Sequence, residues 1–109
     1  MDADDEKLVT LARAARVRTG AAEGAAVRDD MGRTYAAATV ALTSLSLSAV
    51  QAAAAAAVSS GVQRLEAAAV VTEADGVGAG DGAVLAELGV AAAIVADPSG
   101  TILSGGGRE

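Results

Sequence analysis

The residues in this chain that could carry chemistry are acids, serines and one glycine-rich loop. Adjacent carboxylates at Asp29 and Asp30 are of the kind that binds a hard cation. The same Asp-Asp-Met-Gly segment is typical of a hairpin turn, and we interpret it as a turn. Gly76 to Gly82 precedes a predicted helix, as phosphate-binding loops do. This loop lacks the Lys-Ser/Thr pair of a P-loop, and Asp81 at the helix start would repel an anion.

Two missing amino acids exclude more chemistry than these segments suggest. The chain of 109 residues contains neither His nor Cys. Their absence excludes zinc, haem and iron–sulfur sites held by Cys or His, as well as thiol catalysis and disulfides. It also excludes hydrolysis of the Ser-His-Asp type, so Ser44, Ser46 and Ser48 have no histidine to activate them.

The apolar composition indicates a globular core built from small side chains. Apolar residues make up 52% of the chain, with 30 Ala, 13 Val and a single aromatic residue, Tyr35. A buried Ala contributes far less than the roughly 1.5–3 kcal/mol of a large apolar side chain, which makes a monomer of this length marginally stable. We therefore expect a homo-oligomer, either a dimer or a tetramer. A GC-rich genome remains an alternative explanation for the alanine excess.

Net charge and the N-terminal sequence limit which partners and which cellular compartment we expect. A net charge of −6 argues against a nucleic-acid surface, and a single aromatic residue offers no platform for base stacking. The acidic start at residues 1–6 is unlike a secretory signal, and no apolar run approaches the ~18 residues of a membrane span. We expect a cytoplasmic protein with one domain over residues 1–109, ordered over about 5–103, with a loose tail over 104–109.

Local patterns predict an alternation of helices and strands. The apolar spacing of Leu8, Leu11, Ala12 and Ala15 predicts a first helix over 4–17. The further predicted elements are strands over 25–29 and 33–40 with a turn at Gly32, a helix to residue 60 with its N-cap at Ser44 or Ser46, a strand over 65–72, a helix over 81–88, a strand over 90–96, a turn over 97–100 and a last short strand over 101–103. The order α-β-β-α-β-α-β(-β) predicts a three-layer α/β/α domain with a mixed sheet.

This order and three stretches of the sequence resemble the small cytidine deaminase family. Residues 24–35, from Gly-Ala-Ala-Val to Gly-Arg-Thr-Tyr, resemble the family's Gly-Ala-Ala-Leu strand and Asp-Gly-Arg turn. Thr39-Val40 and residues 47–61 resemble its Asn-Val-Glu-Asn segment and the helix that begins Cys-Ala-Glu-Arg and ends Ala-Val-Ser-x-Gly. Residues 77–88 resemble its Pro-Cys-x-x-Cys-Arg motif and the helix that follows. The likeness covers about residues 5 to 96 and implies a cytidine deaminase-like fold.

The resemblance also implies which positions once carried catalysis. In that family, one Cys or His and two Cys hold zinc, and a neighbouring Glu shuttles protons. The first ligand falls on Ser48, the glutamate on Val50, and the two cysteines of the second motif on Gly78 and Asp81. Of these four, only Asp81 keeps a side chain suited to a metal. The resemblance therefore describes a degenerate member with no catalytic residue, no cofactor and no metal site.

The positions that read the substrate have changed as well. The family's Asn and Glu near the second strand fall on Ala41 or Leu42, where about two residues are deleted. We therefore expect a pseudoenzyme that acts as a homo-oligomeric binding or scaffold protein, with another protein as a further partner. In the resembled family the Cys-bearing helix lies at the subunit interface, and its expected contact residues here are Ser48, Gln51, Ala52 and Ala55.

Three alternative functions stay open. The first is nucleoside or nucleobase binding in a residual cleft. The second is a metal-free enzyme of unknown reaction, for which Asp81 and Glu87 are the nearest acids, although a spacing of six places them on different faces of a helix. The third is an RNA-associated accessory protein, which would use the arginines at 13, 16, 18, 28 and 33.

Overall fold

The computed structural model describes residues 3–104 of the chain. Helices and strands alternate through that range. The elements are α1 (Ala3–Thr19), β1 (Gly24–Asp29), β2 (Thr34–Ala38), β3 (Val40–Ala41), β4 (Ser46–Leu47), α2 (Ala49–Ser59), β5 (Leu65–Val71), α3 (Ala79–Glu87), β6 (Ile94–Ala96) and β7 (Ile102–Ser104). Within residues 3–104, no helix has both the length and the apolar character needed to cross a membrane.

The main sheet is mixed, as predicted. Its five strands lie in the order β2-β1-β5-β6-β7. β5 and β6 are parallel, whereas β1 is antiparallel to both β2 and β5, and β6 is antiparallel to β7. The predicted order of helices and strands is confirmed, including the last short strand. One addition to it is a two-stranded sheet of β3 and β4, which no local pattern had indicated.

Helices cover both faces of the sheet, which confirms the three-layer α/β arrangement. Alternate residues of β1 point to opposite faces, as the period of a strand requires. Ala26 packs in a core cluster with Leu8 and Ala12 of α1, whereas Ala25 and Val27 pack in a second cluster. That second cluster contains the buried face of α2 and the buried Leu85 of α3. The fold therefore has two cores, one on each side of the sheet.

The start of α2 corrects the prediction of an N-cap at Ser44 or Ser46. The helix begins at Ala49 with Ser48 as its N-cap. Ser46 instead belongs to β4, where it pairs with Ala41 of β3. Ser48 takes the cap because Gln51, three residues later, completes a capping box that neither earlier serine has.

Several other boundaries shift by a few residues. α3 begins at Ala79 and not at residue 81. β6 begins at Ile94 and not at residue 90, because the N–H of Val90 donates to Leu85 O and closes the end of α3. The predicted strand over 33–40 divides into β2 and β3 at Thr39. Ser104 lies in β7, which corrects its place in the loose tail; the remainder of that tail lies outside the described residues.

One glycine sets how closely α1 approaches the sheet. Gly24 opens β1, and a Cβ atom there would overlap the carbonyl oxygen of Ala12 and lie 2.9 Å from the backbone nitrogen of Arg16. Only a residue without a side chain fits between helix and strand at this point. Gly32 has a different role, because its φ of 89° supports the predicted turn between β1 and β2.

Candidate functional site

The N-terminus of α2 holds the first of the four positions that the resemblance singles out. The Ser48 hydroxyl accepts a hydrogen bond from the backbone N–H of Gln51 at 3.0 Å. The Gln51 side-chain oxygen accepts one in return from the Ser48 N–H at 2.9 Å. This reciprocal pair fixes the rotamer of Ser48 and holds its hydroxyl at the N-terminus of α2.

The Ser48 hydroxyl donates its own proton to Asp81 across the fold. The Oγ of Ser48 lies 2.6 Å from Oδ1 of Asp81, and both residues are half-buried. Asp81 is in the first turn of α3, where a carboxylate interacts favourably with the helix dipole. Two positions 33 residues apart in sequence are therefore joined by a short, charge-assisted hydrogen bond.

Gly78 lies beside this pair but contributes no side chain to it. It is the N-cap of α3, with extended backbone angles and no side-chain cap. A Cβ atom at Gly78 would have no heavy atom within 4 Å, so the space around it is open. The structure therefore places positions 48, 78 and 81 at two adjacent helix N-termini.

Val50, the fourth position, is part of the core. Its side chain is 1% exposed and packs in the cluster that α2 shares with β1 and β5. A hydrocarbon side chain has no proton to donate or accept. The position that corresponds to the family's glutamate thus contributes packing and no acid–base chemistry.

These residues do not fit a zinc ion. Zinc in proteins is held by Cys, His, Asp or Glu. Among residues 3–104, no group of three such side chains could hold a metal. At the positions in question, the donor set consists of one serine hydroxyl and one carboxylate, and the carboxylate already accepts the proton of that hydroxyl. We therefore derive no chemical step through a metal.

A cavity of about 450 Å³ opens beside Ser48 at the carboxyl end of β5. Its lining includes Arg16, Glu23, Thr39 and Thr72. The Thr72 hydroxyl donates to Oε2 of Glu23 at 2.8 Å, and the backbone N–H of Glu23 donates to the Thr39 hydroxyl at 3.0 Å. Glu23, Thr39 and Thr72 flank the ends of β1, β2 and β5, so the cavity is a cleft at one end of three neighbouring strands.

Sequence reasoning missed the residues that line this cleft. Glu23, Thr39 and Thr72 come from three separate segments, and nothing in their local sequence marks them as neighbours. By contrast, Ala41 and Leu42, the expected substrate-reading positions, are exposed in the β3–β4 hairpin, and neither lines the cavity.

The arginines do not form one basic surface. Arg28 pairs with Asp5 at 3.2 Å and with Glu66 at 2.6 Å. Arg16 pairs with Glu73 at 3.3 Å, and Arg13 donates to the carbonyl oxygen of Pro98. Arg16 and Arg28 are thus paired with acids, which weakens them as phosphate ligands and argues against the RNA-associated alternative at these two positions.

Asp29 has a structural role in the first turn of the sheet. Its Oδ1 accepts the backbone N–H groups of Met31 and Arg33, each at 2.9 Å, and its Oδ2 accepts the Tyr35 hydroxyl at 3.1 Å. The carboxylate is 3% exposed. These bonds use the side chain to close the turn between β1 and β2, in agreement with the interpretation of Asp29-Asp30 as a turn and not a cation site.

Comparison with known proteins agrees with the fold. The family model described as cytidine deaminase-like matches residues 1–100. Among solved structures, the cytidine deaminase of Burkholderia pseudomallei matches with a TM-score of 0.71 and 24% sequence identity, over 94% of this chain and 90% of that one. A search of curated proteins found no match.

The fold is thus cytidine deaminase-like. This chain belongs to the cytidine deaminase-like family.

Proposed function

We propose that this protein is a catalytically inactive member of the family that acts as a homo-oligomeric binding or scaffold protein. The observation that carries the proposal is the chemistry of the four former site positions. A hydroxyl and a carboxylate bonded to each other stand at two of them, a glycine at the third and a buried valine at the fourth. Zinc-dependent deamination needs a metal-activated water and a proton-shuttling carboxylate, and this set supplies neither.

Association through α2 is the second part of the proposal. Ser48, Gln51, Ala52 and Ala55 follow one another at helical spacing and form one stripe, half-buried at the first three and exposed at Ala55. Small side chains let two helices approach closely. The occupant we assign to this stripe is a second copy of the chain, because the adjacent β3–β4 hairpin also presents apolar side chains, with Leu42 64% exposed and Leu45 48% exposed.

Nucleoside or nucleobase binding is the second candidate, and the cavity beside Ser48 favours it. A volume of about 450 Å³ lies within the range of small-molecule sites. Against it, Ala41 and Leu42 provide no hydrogen bonds to a base. The metal-free enzyme is less well supported, because Asp81 bonds to Ser48 whereas Glu87 is exposed at the far end of α3.

A deamination assay tests the loss of catalysis. We expect ammonia release from cytidine and from free nucleobases to stay at the rate without protein, even with added zinc. We also expect elemental analysis to find far less than one zinc per chain. The cytidine deaminase of Burkholderia pseudomallei, assayed in parallel, is the positive control.

Two results would contradict the proposal or redirect it. Ammonia release that scales with protein concentration would overturn the inactive assignment. A saturable rise in melting temperature with cytidine or uridine would instead support the nucleoside-binding candidate, whereas no shift at millimolar ligand would remove it.

A further inference from the structure

The outer edge of β2 is a row of backbone groups at one end of the main sheet, where β2 pairs with β1 alone. Among residues 3–104, no backbone group bonds to the other side of this strand. We infer that this edge pairs antiparallel with the same edge of a second copy of the chain, about a two-fold axis at Ala36, so that two sheets become one. The inference rests on the proposed association of the chain with itself, but it names a different surface from α2.

The hydrogen bonds between β1 and β2 show which residues of β2 face outward. The N–H of Asp29 donates to Arg33 O at 2.9 Å, so these two residues form a bonded pair. Bonded and non-bonded positions alternate along an antiparallel pair, and in this register Tyr35 and Ala37 also bond to β1. The remaining residues of β2, whose N–H and C=O groups therefore point away from β1, are Thr34, Ala36 and Ala38.

The sequence of β2 has none of the usual protections of an edge strand. Natural edges avoid pairing with other chains through charged residues, proline, bulges or very short length. The five residues of β2, Thr-Tyr-Ala-Ala-Ala, include no charge and no proline, and their register with β1 is unbroken. The opposite edge differs, because β7 has three residues and a register shift at Val95 and Ala96 interrupts its pairing with β6. Of the two edges of the main sheet, β2 is therefore the one open to a partner strand.

The outward groups of β2 match those of a second copy in one antiparallel register. A two-fold axis at Ala36 places this residue opposite Ala36 of the second copy, and it places Thr34 opposite Ala38 of the second copy. All these positions turn their N–H and C=O groups outward, so each opposed pair exchanges two hydrogen bonds. The same strand supplies both halves of the contact, as an isologous dimer interface requires.

The side chains of β2 do not obstruct this approach. Thr34 and Ala36 are exposed, and the side chains opposed across the axis are threonine and alanine. No charged group loses its hydration when such residues are covered. On the other face of the strand, the Tyr35 hydroxyl donates to Asp29 of its own chain at 3.1 Å, and strand pairing leaves that bond in place.

The edge of β2 and the stripe on α2 point in different directions. α2 turns the buried Ala53 and Ala57 toward the sheet, so its stripe at Ala55 faces away from the sheet. The edge of β2 instead lies in the plane of the sheet. Two isologous contacts about different two-fold axes give a closed tetramer, whereas either contact alone gives a dimer.

A charge placed on the axis tests the register. We expect Ala36→Lys and Ala36→Asp each to lower the mass in light scattering by about two-fold, because like charges directly opposite each other destabilise a strand pair. Equal amounts of the two variants, mixed, should regain the mass of the unmodified protein, since opposite charges then face each other across the axis. Ala86→Lys, at an exposed position of α3, is the matched control and should leave the mass unchanged.

Hydrogen exchange of single amides, measured by NMR on the full chain, tests the backbone contact itself. We expect the outward amide of Ala38 to exchange at least about ten-fold faster in the Ala36→Lys variant than in the unmodified protein, because it loses its partner strand. The inward amide of Ala37, which is bonded to β1, should exchange at the same rate in both.

The outcomes separate this inference from the proposed association through α2. Equal exchange of Ala38 in the two proteins, a mixture of the charged variants that does not regain the mass, or an equal effect of Ala86→Lys would overturn pairing at β2. A mass that falls with Ala55→Glu but not with Ala36→Lys would overturn it as well, and would leave association through α2 intact. The reverse pattern would support pairing at β2 and contradict association through α2.

Discussion

Asp29 shows how a single buried carboxylate can organise a turn. Burial by itself would raise the pKa of the Asp29 carboxyl. The backbone N–H groups of Arg33 and Met31 and the Tyr35 hydroxyl stabilise the ionised form more strongly, and the charge of Arg33 adds to this. The pKa therefore lies below its ordinary value of 3.8. Burial, together with the hydrogen bond to Asp29, raises the pKa of Tyr35.

This depressed pKa predicts a loss of stability in acid. A group whose pKa is lower in the folded state stabilises the fold above its unfolded pKa, and this contribution disappears as the pH falls through the folded value. We expect Asp29→Asn to lower the free energy of unfolding at pH 7. The difference from the unmodified protein should shrink as the pH falls below about 3.8, as measured by urea denaturation at several pH values.

The exposed neighbour provides the control for this experiment. Asp30→Asn changes the same charge one residue away, at an exposed position. We expect it to leave the free energy of unfolding nearly unchanged at every pH in this series. A constant difference between the Asp29→Asn variant and the unmodified protein from pH 7 to pH 3 would contradict a stabilising role for the ionised carboxylate.

At the scale of elements, the contact of α1 with β1 depends on the missing side chain at Gly24. The backbone of Ala12 lies so close to this glycine that a methyl group cannot enter without separating the helix from the strand. Because protein interiors are close-packed, such a separation would destabilise the fold. The cluster that includes Leu8, Ala12 and Ala26 lies directly beside this contact.

Replacement by alanine should have opposite effects on the stability of the fold at Gly24, which opens β1, and at Gly82, which lies within α3. We expect Gly24→Ala to destabilise the fold by about 3 kcal/mol, at the upper end of overpacking costs. Gly82→Ala, within α3, meets no heavy atom within 4 Å and should stabilise by about 0.5–1 kcal/mol, because alanine favours helix. Chemical denaturation measures both; a Gly24→Ala variant as stable as the unmodified protein would refute the close approach.

At the scale of the whole molecule, two cores of small side chains limit the stability of one chain. Alanine and valine make up most of both clusters. Such side chains bury little area each, so association that covers further apolar surface stabilises the fold by mass action. The stripe on α2 and the β3–β4 hairpin offer that surface.

We expect the protein to be a dimer or tetramer at micromolar concentration, with a mass two or four times 10.4 kDa by light scattering. Ala55→Glu places a charge on the stripe and should shift the mass toward the monomer. Ala86→Glu, on the exposed side of α3, is the matched control and should leave it unchanged. A monomeric unmodified protein, or equal behaviour of the two variants, would contradict association through α2.

The sequence revealed one feature of the site, contained an overlooked signal for a second, and contained no signal for a third. The absence of His and Cys excluded the zinc centre without any coordinates. Ser48 as N-cap could have been recognised from the Ser-Ala-Val-Gln spacing, which is the pattern of a capping box. The cleft lining of Glu23, Thr39 and Thr72 had no such signal, because these residues meet through the sheet and share no local pattern.

The amino-acid sequence alone determined the order of the three helices and of the strands in the main sheet, since periodicity, caps and turns are local properties of the chain. It also excluded metal sites held by Cys or His, since that depends only on the residue types present. The tertiary structure decided that Ser48 and Asp81 bond to each other, that Val50 lies in the core and that Gly24 touches α1. These contacts join residues distant in sequence, and only the packing of helices against the sheet brings them within reach.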